Sequence, residues 1–215
     1  MSSSLRSPRV RAVLERLFAA ADHDDERRRE IDGADFGAAT ADERADLLQA
    51  VYMPVSAQGG ELIYSLVRAS RPDVVVEFGT SFGISTLHLA AAIADAGHGQ
   101  LFTTELSATK IEAARANLEE AGLAEFVTFL AGDALETLAA VPSPIGFVFL
   151  DGWKDLCLPV LRLLEPGIRP GALVAADDSS FSSMSDYLSY VRDPERGYVS
   201  VSFPIEDGIE VSCRT

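Results

Sequence analysis

Apolar positions along the first seventy residues recur three and four apart, and after them they gather into short unbroken runs. In "VRAVLERLFAAA" the residues Val10, Val13, Leu14, Leu17 and Phe18 fall on one face of an amphipathic helix. Thr40-Ala41-Asp42-Glu43 is a capping box that opens "ERADLLQAVYM", so residues 8–50 read as helical up to the stop at Pro54. "SAQGGELIYSLVRAS" then restarts the helical period with Leu62, Ile63, Leu66 and Val67 on one face. From "DVVVEF" the pattern alternates. Strands are predicted at 73–78, 100–105, 126–130, 145–150 and 171–177, with helices at 83–96, 108–121, near 133–140, 154–165 and 183–192. The early strands are apolar throughout, as in a parallel sheet covered by helices on both faces. "YVSVSFPIEDGIEVSC" differs: two alternating strands flank an Asp-Gly turn, which is an antiparallel hairpin. The expected architecture is α/β, a doubly wound, mostly parallel seven-stranded sheet with a C-terminal antiparallel hairpin and an N-terminal helical extension. We expect one domain over 1–215, with a disordered tail at 1–9, a helical cap at 10–70 and a ligand-binding core at 71–215.

Composition narrows the partners. A hydrophobic fraction of 47% with 24% charged residues is that of an ordinary globule, and no apolar run approaches the length of a membrane span. "MSSSLRSPRV" has no apolar signal core, and Cys157 and Cys213 form no metal-spaced cluster, which together suggest a cytoplasmic protein with reduced thiols. The net charge of −15 repels phosphate backbones, so no nucleic-acid partner is expected. The one basic knot, Arg27-Arg28-Arg29, lies among five acidic residues and reads as a solvated helix face. A small molecule, preferably cationic, suits this field.

Ligands of such a sheet sit beyond the carboxyl ends of its strands. That singles out Glu77 to Gly83, Glu105, Gly132 and Asp133, Asp151 to Lys154, and Asp177 with Asp178. The turn in "VVVEFGTSFGIST" admits three readings. As a G-x-S-x-G nucleophile elbow it needs a later histidine, yet only His88 and His98 follow Ser81, one on the helix starting at Gly83 and one at its far end. As a nicotinamide dinucleotide turn it lacks the first glycine, and Glu77 and Glu105 would both face an anionic pyrophosphate. A sulfonium nucleoside has the opposite charge. Glu105 offers two oxygens to two ribose hydroxyls, although a solvated strand end or a cap for the helix from Ser107 would explain it as well. We read Gly79, Thr80 and Ser81 as an S-adenosylmethionine turn.

The stretch "FVFLDGWKDLCLPVLRLLEPGIRPGALVAADD", with "LDGWKD" and its later acidic pair, resembles the metal-dependent, catechol-O-methyltransferase-like class of small-molecule methyltransferases, which have the class I, Rossmann-like fold. The resemblance covers most of residues 50–180. It implies cofactor contacts at Val55, Glu77, Gly79, Ser85, Glu105, Ala134 beside Asp133, Asp151 and Trp153. It implies metal ligands at Asp151, Asp177 and Asp178, and a general base at Lys154. Asp178 stands where the family usually has Asn, and Gly152 where the mammalian enzyme has a bulkier residue. Dimerisation through the helical preface is likewise implied by the resemblance alone.

These residue types suit the chemistry. Three carboxylates at two strand ends match an oxygen-ligated Mg²⁺ or another divalent cation. A chelated hydroxyl loses its proton more readily, and a lysine beside a cation is pushed towards neutrality. Plainer roles exist: adjacent acids capping the next helix with Ser179, Ser180 and Ser182, a solvated Lys154, a core Trp153. The expected function is an S-adenosylmethionine-dependent O-methyltransferase acting on a small hydroxylated, aromatic or vicinal-diol, substrate. The preface and segment 179–196 would wall the substrate. The alternatives are a metal-independent N-, C- or carboxyl-methyltransferase, a non-catalytic cofactor-binding protein, and a nicotinamide oxidoreductase.

Overall fold

The structure is a computed structural model and describes residues 3–31 and 39–215. Four helices precede the sheet: α1 (Pro8–Ala21), α2 (Asp24–Glu30), α3 (Ala41–Leu47) and α4 (Ala57–Ser70). The alternating part follows as β1 (Val74–Phe78), α5 (Ile84–Ala96), β2 (Gln100–Glu105), α6 (Ala108–Ala121), β3 (Val127–Ala131), α7 (Ala134–Thr137), β4 (Ile145–Leu150), α8 (Cys157–Leu164), β5 (Ile168–Ala176) and α9 (Ser185–Val191). The chain ends in β6 (Tyr198–Phe203) and β7 (Ile209–Arg214). The strands form one seven-stranded sheet in the order β3-β2-β1-β4-β5-β7-β6. The first five run parallel, and β7 inserts antiparallel between β5 and β6. The order reverses between β1 and β4, so a crevice opens there at the carboxyl ends. This is the Rossmann-like sheet, hairpin and N-terminal helices expected.

Strand alternation divides the core in two. Val75, Phe147, Phe149 and Ala175 face the side covered by α4, α5 and α1. Val74, Val76, Phe78, Val148 and Leu150 face the side covered by α8 and α9. Burial on both faces explains why these strands carry no polar alternation. Glu77, within β1, shares the α5 side and is wholly buried.

Residues 3–9 depart from the expected tail, of which residues 1–2 lie outside the described residues. Ser4 donates its N–H and hydroxyl to Asp95, and the Ser3 and Tyr64 hydroxyls are 2.8 Å apart. Pro8 at the first turn of α1 and the Ser7 cap then start the helix. Polar anchors on α4 and α5 hold what composition alone presents as a frayed end. The basic knot is also not a uniform solvated face: Arg28 and Arg29 are exposed, while Arg27 is partly buried against Asp24 at 3.0 Å.

Candidate active site

The glycine turn joins β1 to α5 at the reversal in strand order. Gly79 has φ +104°, and a Cβ there would lie 2.7 Å from the Asp151 carbonyl oxygen, so only glycine lets β1 and β4 end this close together. The N–H groups of Gly79 and Thr80 both donate to the Thr104 carbonyl, which ties the turn to β2. Ser81, at φ +46°, donates its N–H to Glu105 Oε2 at 2.9 Å and its hydroxyl to the Tyr52 carbonyl at 2.7 Å. Glu105 Oε1 accepts the N–H groups of Leu106 and Ser107 at 2.9 and 3.0 Å. Its carboxylate therefore stands at the cavity wall already engaged by three backbone donors.

Glu77 is placed differently from the expectation that it would present its charge at the turn. The strand's alternation turns it beneath the turn, onto the α5 side, with no solvent exposure. Oε2 accepts from the hydroxyls of Thr86 at 2.7 Å and Thr103 at 2.6 Å. Oε1 has no hydrogen-bond partner among the described residues. Burial pushes the carboxyl up to about 7, against the opposing pull of the Ser85, Thr103 and Thr86 hydroxyls.

The cap roofs the turn. Asp24, buried in α2, accepts the N–H groups of Tyr52 at 3.0 Å and Met53 at 2.8 Å. Tyr52 stacks on Phe82 of the turn with ring centres 3.9 Å apart and planes 10° from parallel. Arg27 lies 5.2 Å above the outer face of this pair, and Lys110 5.6 Å from the Phe82 ring. These contacts hold Met53, at φ +46°, and buried Val55 over the crevice.

On the other side of the crevice, Asp151 follows β4, and Asp177 and Asp178 follow β5. The Lys154 ammonium lies 3.0 Å from Asp151 Oδ1 and 2.9 Å from Asp178 Oδ2. Burial works against its charge, but the two carboxylates outweigh burial and hold the ammonium firmly protonated. With those carboxylates bare of any other cation, the shift is opposite to the one expected of a base. Among the described residues Asp177 has no such ion pair. Burial first, and then the neighbouring Asp151 charge, push its carboxyl up to about 8. As the side chains stand, no group of three Asp, Glu, His or Cys residues among the described residues is arranged to hold a metal ion. The donor set itself is three hard carboxylate oxygens, which suits a divalent cation; the ammonium now bridges two of them.

One cavity of about 410 Å³ joins both sides. It brings together Val55, Gly79, Thr80, Ser81, Ser85, Glu105, Asp133, Ala134, Asp151, Trp153, Lys154, Asp177 and Asp178, and leaves out Glu77. Asp133 caps α7 through the Leu135 N–H, and Trp153 packs under the Arg44 guanidinium at 4.8 Å. Gly152 has a local reason: a Cβ there would run into the Phe78 ring, so the larger strand-end residue takes the space of the missing side chain. Of segment 179–196 only Phe181 reaches the cavity, while the hairpin turn adds Glu206 and Asp207, which sequence reasoning missed. Lys110 and Arg28 were missed as well. The hairpin's Asp-Gly signal located the turn, but nothing local aims it at β5. The histidines take no part: His88 is buried with Nδ1 against the Ile84 carbonyl, and none lines the cavity.

The cofactor fits these observations. The backbone of Gly79, Thr80 and Ser81 lines the cavity, and the charged residues of its walls are mostly acidic, as a sulfonium and an ammonium require.

Comparison with known proteins agrees with the sheet and the turn. Residues 76–179 match the family model of a methyltransferase domain. The chain is 31% identical over 174 residues to catechol O-methyltransferase B of Danio rerio, an alignment covering 74% of this chain and 65% of that one. It is 32% identical over 147 residues to a catechol O-methyltransferase of Mycobacterium tuberculosis, covering 68% and 66%. An O-methyltransferase from Bacillus cereus, solved in complex with SAH, superposes with a TM-score of 0.68 at 19% identity, covering 93% of this chain and all of that one. The chain thus spans less than two thirds of the length of the first of these relatives.

Proposed function

On the premise that this chain belongs to the class I S-adenosylmethionine-dependent methyltransferases and is related to the catechol O-methyltransferases, we propose that it methylates an oxygen of a small hydroxylated acceptor, aromatic or vicinal-diol. The observation that carries this reading is the shared cavity: the glycine turn and Glu105 open onto the same space as Asp151, Lys154, Asp177 and Asp178. S-adenosylmethionine would supply an electrophilic methyl group on sulfur. In that transfer the acceptor oxygen would gain the bond to carbon as the carbon–sulfur bond broke, its electron pair leaving with the thioether. Gly79, Ser81, Glu105, Ala134 and Trp153 fix one partner, Lys154 and the aspartates the other, and most of the acceleration comes from holding them in line.

A divalent cation, Mg²⁺ or another, would be held by Asp151, Asp177 and Asp178 and would lower the acceptor hydroxyl's pKa. Lys154, released from its carboxylates, would then take the acceptor's proton. The Lys154 bridge favours a second reading, the metal-independent transferase. There the ammonium steadies the acceptor oxygen electrostatically, and the Asp177 carboxylate accepts its proton. Calorimetry with adenosylhomocysteine tests the cofactor, and transfer from labelled S-adenosylmethionine to a catechol panel, with chelator or added Mg²⁺, tests the rest. Chelator-sensitive transfer restored by Mg²⁺ is expected; undiminished transfer in chelator moves the assignment to the second reading. A protein that binds adenosylhomocysteine and methylates no oxygen, nitrogen or carboxylate acceptor is a cofactor-binding protein instead.

A further inference from the structure

Lys110 is the buried charge that this mechanism leaves unused. It sits one turn beyond the Ser107 cap of α6, is only 4% exposed, and lines the cavity beside Glu105. Among the described residues its ammonium has no hydrogen-bond partner; it meets the face of Phe82 and the fields of Glu105 and Asp24. A lysine desolvated to this degree ordinarily finds acceptors for its three donors, because an unpaired buried ammonium is costly. The acceptors are therefore to be sought in whatever fills the cavity.

Glu105 says which ones. A carboxylate has about four lone-pair sites. Two on Oε1 go to Leu106 and Ser107, and one on Oε2 goes to Ser81. One site remains, whereas a ribose presents two hydroxyls. We propose that Lys110 is a second ribose anchor: its ammonium donates to the oxygen of one ribose hydroxyl, while the other hydroxyl donates to the remaining site on Glu105. This rests on the cofactor reading above. It gives the cap a part in cofactor binding, because the Tyr52–Phe82 stack and α2 close over Lys110 and keep it dry.

The test is calorimetry of adenosylhomocysteine and of its 2′-deoxy and 3′-deoxy analogues, on the parent protein and on Lys110→Met. The substitution should weaken adenosylhomocysteine roughly tenfold or more, the usual size of a charge-assisted hydrogen bond. One deoxy analogue, lacking the hydroxyl that Lys110 holds, should be indifferent to the substitution, and the other should remain sensitive. Lys110→Arg, which keeps the charge, should recover part of the loss if the methionine variant misfolds or the effect is steric. Parental affinity in Lys110→Met overturns the assignment, as does an equal loss for both analogues, which would make Lys110 a charge balance for Glu105 and Asp24. A parent protein that binds no adenosylhomocysteine overturns the cofactor reading and this assignment with it.

Discussion

Glu105, on the glycine-turn side of the crevice, is engaged by three backbone N–H groups, with the Lys110 ammonium lining the same wall. Across the crevice, Asp151 and Asp178 share a single lysine, and Asp177 stands beside them with no ion pair among the described residues. The first arrangement costs little to keep, because a carboxylate that accepts several hydrogen bonds is nearly satisfied before any ligand arrives. The second holds three acids against one ammonium, and Asp177 carries the excess as a raised affinity for protons. One side is built to grip and stay fixed. The other is built so that an arriving cation, proton or acceptor changes its balance.

The contrast is broken most directly by Asp177→Asn. Methyl transfer should fall by roughly a hundredfold or more, while affinity for adenosylhomocysteine stays within about threefold. Parallel collapse of both in the folded variant would mean that the two sides are one unit. Glu105→Ala is the reciprocal change. It should weaken adenosylhomocysteine by about tenfold or more, since a cofactor hydroxyl loses its acceptor and three backbone donors lose theirs, and the remaining transfer activity at saturating cofactor should be largely kept.

Asp178→Asn sharpens the picture of Lys154. Removing one of the two carboxylates that hold its proton lowers its pKa, so the acid limb of the pH–rate profile should shift to lower pH if turnover needs neutral Lys154. An unmoved acid limb with a lower plateau would assign Lys154 the electrostatic role instead. The smallest effect concerns stability. The Glu77 carboxyl is raised from its ordinary value to about 7, so the folded state binds its proton more readily than the unfolded chain. Its contribution is therefore present at acid pH and lost as pH rises through about 4.5 to 7. Between pH 5 and pH 8 the parent's Tm, measured in chelator, should drop further than that of Glu77→Gln by a difference worth on the order of 1–2 kcal/mol. An identical pH dependence in the two proteins would show Glu77 to be ionised throughout.

Much of the scaffold was legible because it rests on local periodicity. The runs at Val74–Phe78 and Ile145–Leu150 had to be strands covered on both faces, and "EDGIEV" had to open on a tight reversal. The site was legible where a strand ended in an acid: Glu105, Asp151, Asp177 and Asp178 all reach the cavity. Glu77 escaped because a strand end says nothing of which face its last polar residue takes once the turn closes over it. Residues 3–9 read as a tail in sequence because Ser3 and Ser4 find their partners, Tyr64 and Asp95, some sixty and ninety positions away.

The sequence by itself determined the order of strands and helices, the glycine turn at the first βα junction and the set of acids along one sheet edge. These follow from side-chain period and from the positive φ that glycines such as Gly79 and Gly83 adopt without strain. Only the tertiary structure decided that Lys154 lies between Asp151 and Asp178, that the cap buries Lys110 beside Glu105, and that Glu206 and Asp207 swing to the cavity mouth. Charge pairing and desolvation depend on distances between elements remote in the chain, and those distances are set by how the helices and the hairpin pack on the finished sheet.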